Sequence, residues 1–145
     1  MTDRRLGRAI AIICVLGIGV AGYLTYNKIA GGKIACPVGG TGCTIVQKSD
    51  YAEFAGIPVP YLGLFGWISI LLTLLIPGDI GRAATAMLGV FGFLFSMYLT
   101  YLELFVIDAI CQWCVANAIL MTLLAIVAMT RLWRYQPPPA STLQG

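Results

Sequence analysis

The sequence predicts an all-α integral membrane protein: a bundle of four transmembrane helices with a large external loop between the first and the second. Three observations carry that prediction. First, 59% of the 145 residues are apolar and 10% are charged, with a mean hydropathy of +0.89; so little polar side chain cannot cover a soluble globule. Second, the apolar residues gather into four charge-free runs, 9–27, 54–78, 83–102 and 109–130, each close to or above the ~20 residues that cross a hydrocarbon core. Third, the bases are sorted by loop. Arg4, Arg5 and Arg8 precede the first run, Arg82 lies between the second and third, and Arg131 and Arg134 follow the fourth. Lys28, Lys33 and Lys48 share the first loop with Asp50 and Glu53, and the link between the last two runs carries Glu103 and Asp108 without a base. The positive-inside rule then puts both termini in the cytoplasm, and the first loop and the mouth of the last helix on the periplasmic or exterior face of a cell (inner) membrane. The net charge of +3 is accounted for by the flanking arginines and gives no reason to expect a nucleic acid.

Taken in order, the elements follow from local signals. The first helix spans about 9–27; its charged start and apolar run also have the outline of a signal peptide, although no small-residue cleavage site stands in a convincing position. The external segment opens with a loose stretch holding Gly31, Gly32, Gly39, Gly40 and Gly42, chain that can bring Cys36 and Cys43 together or let Cys43 swing away. Ile45, Val46, Ala52 and Phe54 then alternate with polar residues, which predicts a short amphipathic helix on the membrane surface, broken at Gly56. The second helix, about 60–76, starts at Pro60, where a missing N–H costs nothing. The third runs about 83–103 and the fourth about 110–131, completing one membrane domain over 1–135. Residues 136–145, rich in proline and small polar side chains, are expected to be a disordered tail.

The chemistry rests on cysteine. There are five cysteines and no histidine. Four of them, Cys36, Cys43, Cys111 and Cys114, fall on the side where disulfides persist. Cys111 and Cys114 open the last helix as "CQWC". A cysteine in a helix's opening turn feels the positive end of the macrodipole, which favours thiolate. Cys114 lies on nearly the same face one turn deeper, so the spacing predicts one sulfur toward the aqueous loop and one toward the bundle interior. That geometry suits a relay between a water-side thiol and an apolar two-electron partner such as a quinone, with no call for a metal. Three blander readings stand beside it: inert packing of small apolar side chains, a structural zinc site and purely structural disulfides. The six residues between Cys36 and Cys43 speak against zinc, whose ligand pairs are usually closer. Cys14, alone in mid-helix 1, reads as buried packing.

The stretch "CPVGGTGC", followed by "TIVQKSDYAEFAGIPVPYLGLFGW" and later by "CQWC", resembles the bacterial branch of the vitamin K epoxide reductase family over nearly the whole chain. The similar DsbB-type enzymes carry their Cys-x-x-Cys in the first external loop and the wider pair in the second; here the order is reversed. The resemblance implies that Cys111 and Cys114 are the active-site pair beside the quinone, with Cys114 the sulfur that meets the ring. It implies that Cys36 and Cys43 are a shuttle pair, Cys36 meeting an external thioredoxin-like (DsbA-like) partner and Cys43 exchanging with Cys111. Ser49 matches a family serine near the quinone pocket, though serine also serves as a cap or loop hydrogen-bonder. Asn117, a polar side chain inside a span, is a second candidate for quinone contact or for interhelical bonding. Many bacterial members carry a fused thioredoxin-like domain, which 10 to 15 tail residues cannot hold, since a domain takes about 50 or more; a separate partner is implied. Where vertebrate members have a tyrosine four residues after the pair, this chain has Ala118, which favours a plain quinone of ubiquinone, menaquinone or phylloquinone type.

The sequence therefore predicts a membrane thiol:quinone oxidoreductase supporting protein disulfide formation. The alternatives are a vitamin K quinone or epoxide reductase driven by a thiol partner, a small transporter, and a non-enzymatic four-helix protein with structural disulfides. A transporter calls for a membrane-buried carboxylate, and the expectation is that Glu103 and Asp108 sit at a helix end instead.

Overall fold

The computed structural model describes residues 3–31, 45, 53–54, 56–108 and 110–135. Among them are helix α1, Asp3–Ala30; a two-residue antiparallel hairpin, β1 Glu53–Phe54 against β2 Ile57–Pro58; and helices α2 Val59–Thr73, α3 Gly78–Leu102 and α4 Gln112–Arg134. Helix α1 packs against both α2 and α4, and α3 packs against α4 and α2. Cys36, Cys43 and Ser49 lie outside the described residues, as does the predicted tail.

Helices α1, α4 and α3 with its extension to Ile107 are long and apolar enough to cross a membrane. Helix α2 has 15 residues and so is about 22 Å long at 1.5 Å per residue, short of a ~30 Å hydrocarbon core. The expected second span of 60–76 is thus a shorter apolar helix. Its regular hydrogen bonding stops at Thr73, and the N–H groups of Leu74, Leu75 and Ile76 donate to carbonyls three residues back, at 3.2, 3.0 and 3.2 Å. That tightening precedes Pro77, which pushes Ile76 away from the helical region. Pro60 falls in the first turn, as expected.

The other boundaries differ for reasons of charge. Helix α1 begins at Asp3, not 9, and α3 at Gly78, not 83. Arg82 was expected in a turn but lies in the first turns of α3, where its Nη1 donates to Asp79 Oδ1 at 2.7 Å. Its Nε donates to Asp3 Oδ1 at 3.4 Å, and Arg131 Nε donates to the same oxygen at 2.8 Å. Helices whose polar ends are paired in this way extend past the apolar run. The contacts also fix which ends meet: the start of α1, the start of α3 and the end of α4 lie together. Asp3 stands ahead of the apolar run, and the hydrogen bond from Arg131, then its charge and those of Arg82, hold the Asp3 carboxyl below the usual carboxylate range.

Packing follows helical periodicity. The buried residues of α1 are Leu6, Ile10, Cys14, Gly17, Ala21 and Leu24, spaced three and four apart along one face. Cys14 is fully buried in the core cluster with Ile10, Trp67 and Leu124, so the packing reading of this cysteine holds. Close approach depends on glycine. A Cβ on Gly17 would collide with the ring of Trp67, and one on Gly89 would meet Leu124 Cδ2 at 2.9 Å. Small residues at such crossings let helix backbones approach where there is no hydrophobic drive between them. The outward faces carry Phe65, Leu75, Ile80, Met87 and Phe91, large apolar side chains that suit lipid.

The predicted surface helix meets a different end. Its last residues, Glu53 and Phe54, pair as β1 with Pro58 and Ile57. Gly56, at φ +80°, sits in the two-residue turn between the strands, a conformation that glycine adopts without a Cβ penalty. Residues 46–52 of that prediction lie outside the described residues.

Candidate active site

The lead-in to α4 is built by an irregular end to α3. After Leu102 the helix widens into a π-helical turn, Glu103–Ile107, closed by the Asp108 N–H donating to the Glu103 carbonyl. Asp108 then takes a left-handed conformation, φ 54°, and is the sole non-glycine residue with positive φ among the described residues. Aspartate tolerates that region better than most. Wide turns of this kind interrupt helices most often at functional sites. Here the turn places Glu103 inward, 4% exposed, and returns the chain toward it at Cys111.

Cys111 is the N-cap of α4, with φ −91° and ψ 111°, not a residue of its opening turn. The physical reason is the carboxylate: Cys111 N–H donates to Glu103 Oε2 at 3.2 Å. An outside acceptor thus caps the helix and holds residue 111 out of helical dihedrals. The first intrahelical bond runs from Val115 N–H to the Cys111 carbonyl at 3.0 Å. Cys114 follows one turn in, with its thiol within hydrogen-bonding reach of the Cys111 sulfur and of the Glu103 carboxyl. The macrodipole still favours anionic sulfur at this end of α4.

The two cysteines differ in burial. Cys111 is fully buried, and Cys114 is partly exposed. Along the helix axis Cys111 precedes Cys114, as the sequence implies, and Glu103 lies against the Cys111 N–H. Glu103 stands at a helix end, as expected, being the C-cap of α3; the difference is that it is buried there, beside both cysteines. Its signal in the sequence is a lone acid amid apolar neighbours, "YLELFVI", eight residues ahead of Cys111.

Around this group stand aromatic side chains. Trp113 packs against Tyr23 of α1, ring centroids 4.9 Å apart at 43°. Asn117, one turn beyond Cys114, accepts a hydrogen bond at its Oδ1 from Trp67 Nε1 at 2.8 Å, while the ring of Trp67 lies on Gly17. Asn117 therefore binds helices together, and Trp67, with an indole N–H inside an apolar bundle, is the partner that sequence reasoning did not single out. Of the six residues proposed for the site, the structure brings Cys111, Cys114 and Asn117 into one end of the bundle.

Such a bundle, apolar on its outer faces and carrying a dithiol with a buried carboxyl group at one end, is a helical membrane protein of the dithiol type. The chain belongs to the vitamin K epoxide reductase family, whose profile matches residues 8–129 and so takes in most of all four helices. Over 51 residues it is 43% identical to the thiol-disulfide oxidoreductase LTO1 of Arabidopsis thaliana. That alignment covers 34% of this chain and spans 14% of the plant protein's length. Family and relative together support a thiol-based membrane oxidoreductase.

Proposed function

We propose that this protein is a membrane thiol:quinone oxidoreductase that takes electrons from a thioredoxin-like (DsbA-like) protein outside the cytoplasm and gives them to a membrane quinone, in support of disulfide formation. The observation that carries this reading is the meeting of Cys111, Cys114 and Glu103 at one end of an apolar bundle. Both termini face the cytoplasm in this reading, supported by the clustering of Asp3, Arg82 and Arg131 at the opposite end.

Electrons move by thiol exchange. A partner thiolate attacks Cys36 of a Cys36–Cys43 disulfide, and the partner's second thiol resolves the mixed disulfide, so the partner leaves oxidised. The Cys43 thiolate then attacks Cys111 in a Cys111–Cys114 disulfide, displacing Cys114 as thiolate. Cys36 resolves the Cys43–Cys111 bond and leaves Cys111 and Cys114 reduced. Re-forming their disulfide passes two electrons to the quinone, which leaves as quinol with two protons.

Two features support a plain quinone as the acceptor. An apolar groove of about 300 Å³ between α3 and α4 begins at Val115, next to Cys114, and includes Met97, Thr100 and Ala118. Ala118 offers no hydroxyl at the position where vertebrate members have tyrosine. Asn117, whose carbonyl is engaged by Trp67, is carried as a quinone contact through its remaining NH2 donor. Ser49 is carried as a further quinone contact on the family resemblance alone.

The relay is tested by trapping its intermediate. In Cys114→Ser the Cys111 thiolate can still attack Cys43 of an oxidised Cys36–Cys43 pair, and the thiol that would displace Cys43 from Cys111 is gone, so unreduced peptides should contain a Cys43–Cys111 disulfide by mass spectrometry. A Cys36–Cys111 bond would reverse the roles of the loop cysteines, and the lack of any bond from the loop to Cys111 would overturn the relay.

A further inference from the structure

We propose that Glu103 is the proton acceptor for Cys114 in quinone reduction, an inference that rests on the thiol:quinone reading and names a catalytic group within it. Glu103 is nearly buried, 4% exposed, and is the one carboxylate among the described residues buried to that degree. Keeping a carboxyl group in such a place costs several kcal/mol unless it is compensated, and among the described residues no cation is one of the groups that act on it. Those groups are the Cys111 N–H, at 3.2 Å, and the Cys114 thiol. Of the other titratable groups at this end, Tyr23 is in ring contact with Trp113, Lys28 lies in the last turn of α1, and Asp108 is exposed.

The arrangement divides the carboxyl's tasks. One oxygen caps α4 through Cys111, which fixes the carboxyl's position. The thiol of Cys114 is then presented to a fixed acceptor, as general-base catalysis needs. A role limited to capping would be served equally well by a neutral amide oxygen, and the contact with a reacting thiol would be incidental.

The step balances as follows. The Cys114 S–H bond breaks, its proton passes to a Glu103 carboxylate oxygen, and its electron pair goes to the quinone ring. The Cys111 sulfur then attacks the Cys114 sulfur, forming the disulfide and releasing the pair onto the ring. Glu103 returns its proton to one quinol oxygen, and the proton lost by Cys111 reaches the other. One dithiol is oxidised, one quinone is reduced, and the carboxylate is regenerated.

The test uses the purified full chain with dithiothreitol as reductant and a short-chain ubiquinone as acceptor, followed by quinone absorbance from pH 6 to 9. Glu103→Gln keeps an oxygen for the Cys111 N–H and removes the base. It should slow quinone reduction by about 10²-fold or more near neutral pH, with the deficit shrinking as hydroxide takes over proton removal at higher pH. Glu103→Ala should be equally slow and should regain activity with added formate, a small carboxylate able to fill the vacated space. Wild-type rates in Glu103→Gln would overturn the inference, as would a loss that runs parallel to wild type across pH with no response of Glu103→Ala to formate; either result leaves Glu103 a cap. Should wild type itself consume no quinone, the thiol:quinone reading falls and this inference falls with it.

Discussion

The two ends of the bundle handle carboxylates in opposite ways. At the end where α1 begins, Asp3 is partly exposed and shared between Arg82 and Arg131. Arg82 also reaches Asp79, donates to the Tyr135 carbonyl at 3.2 Å and stands 5.6 Å from that residue's ring centroid. Asp3 and Asp79 are each met by a guanidinium in reach of water, an arrangement that fastens helix ends. At the other end Glu103 is buried, its neighbours are two cysteines and a backbone N–H, and between it and Cys111 the chain is irregular, a π turn followed by a left-handed residue. Backbone irregularity and a desolvated acid are costly. Among the described residues the buried acid and the left-handed non-glycine residue both fall at the dithiol end, which supports the reading of that end as the place of chemistry and of the arginine end as a clasp.

The sharpest way to break this comparison is to ask which side of the membrane each end faces. A membrane-impermeant maleimide applied to intact cells after reduction should label Cys36 or Cys43, while a C-terminal tag stays protected. Labelling that appears only once cells are opened would invert the orientation and remove the compartment argument for disulfide exchange.

The next effect concerns what supports the dithiol end. Gly17 lies against the fully buried Trp67, whose N–H holds Asn117 one turn beyond Cys114. Gly17→Ala forces a Cβ into the ring, and overpacking of this kind costs about 1–3 kcal/mol. Thermal unfolding in detergent should show a lowered midpoint for Gly17→Ala and little change for Gly19→Ala, since a Cβ at Gly19 meets nothing within 4 Å. Equal midpoints would mean that Trp67 is not confined as described.

The smallest effect belongs to the clasp. Exposed ion pairs contribute about 0.2–1 kcal/mol each, so Asp3→Asn should lower stability only slightly. Because the two guanidiniums hold the Asp3 carboxyl below its ordinary range, its contribution is present above about pH 4 and is lost as pH falls through the folded-state value. The gap between wild type and Asp3→Asn should therefore close on acidification below pH 4; a gap that widens there would contradict the clasp.

How much of this was legible in the sequence depended on the range of the interaction. Apolar runs revealed the helices because burial in lipid is a property of each segment by itself. The sorting of arginines correctly grouped three helix ends, and the packing of Cys14 followed from its place in mid-helix. Boundaries went astray where pairing across the chain decided them: Asp3, Arg82 and Arg131 are far apart in sequence, and only their meeting lets α1 and α3 run on through charged residues. The place of Glu103 at a helix end was legible, and its burial was not, for the same reason. Its partners, the Cys111 N–H and the Cys114 thiol, are brought to it by a π turn that helical periodicity does not anticipate. Trp67 passed unnoticed because an aromatic residue in an apolar run has no local mark of its hydrogen bond to Asn117.

In the proposed reaction electrons cross from external thiols to a membrane quinone through Cys111 and Cys114. Its most direct test is purified protein in lipid vesicles with a reduced thioredoxin-like partner and, in turn, ubiquinone, menaquinone and phylloquinone, following quinone absorbance together with loss of partner thiols. The account predicts that at least one quinone is consumed, one molecule for every two thiols oxidised, and that Cys111→Ser and Cys114→Ser each abolish the reaction. Thiol loss without consumption of any quinone, or undiminished quinone reduction in either serine variant, would contradict it.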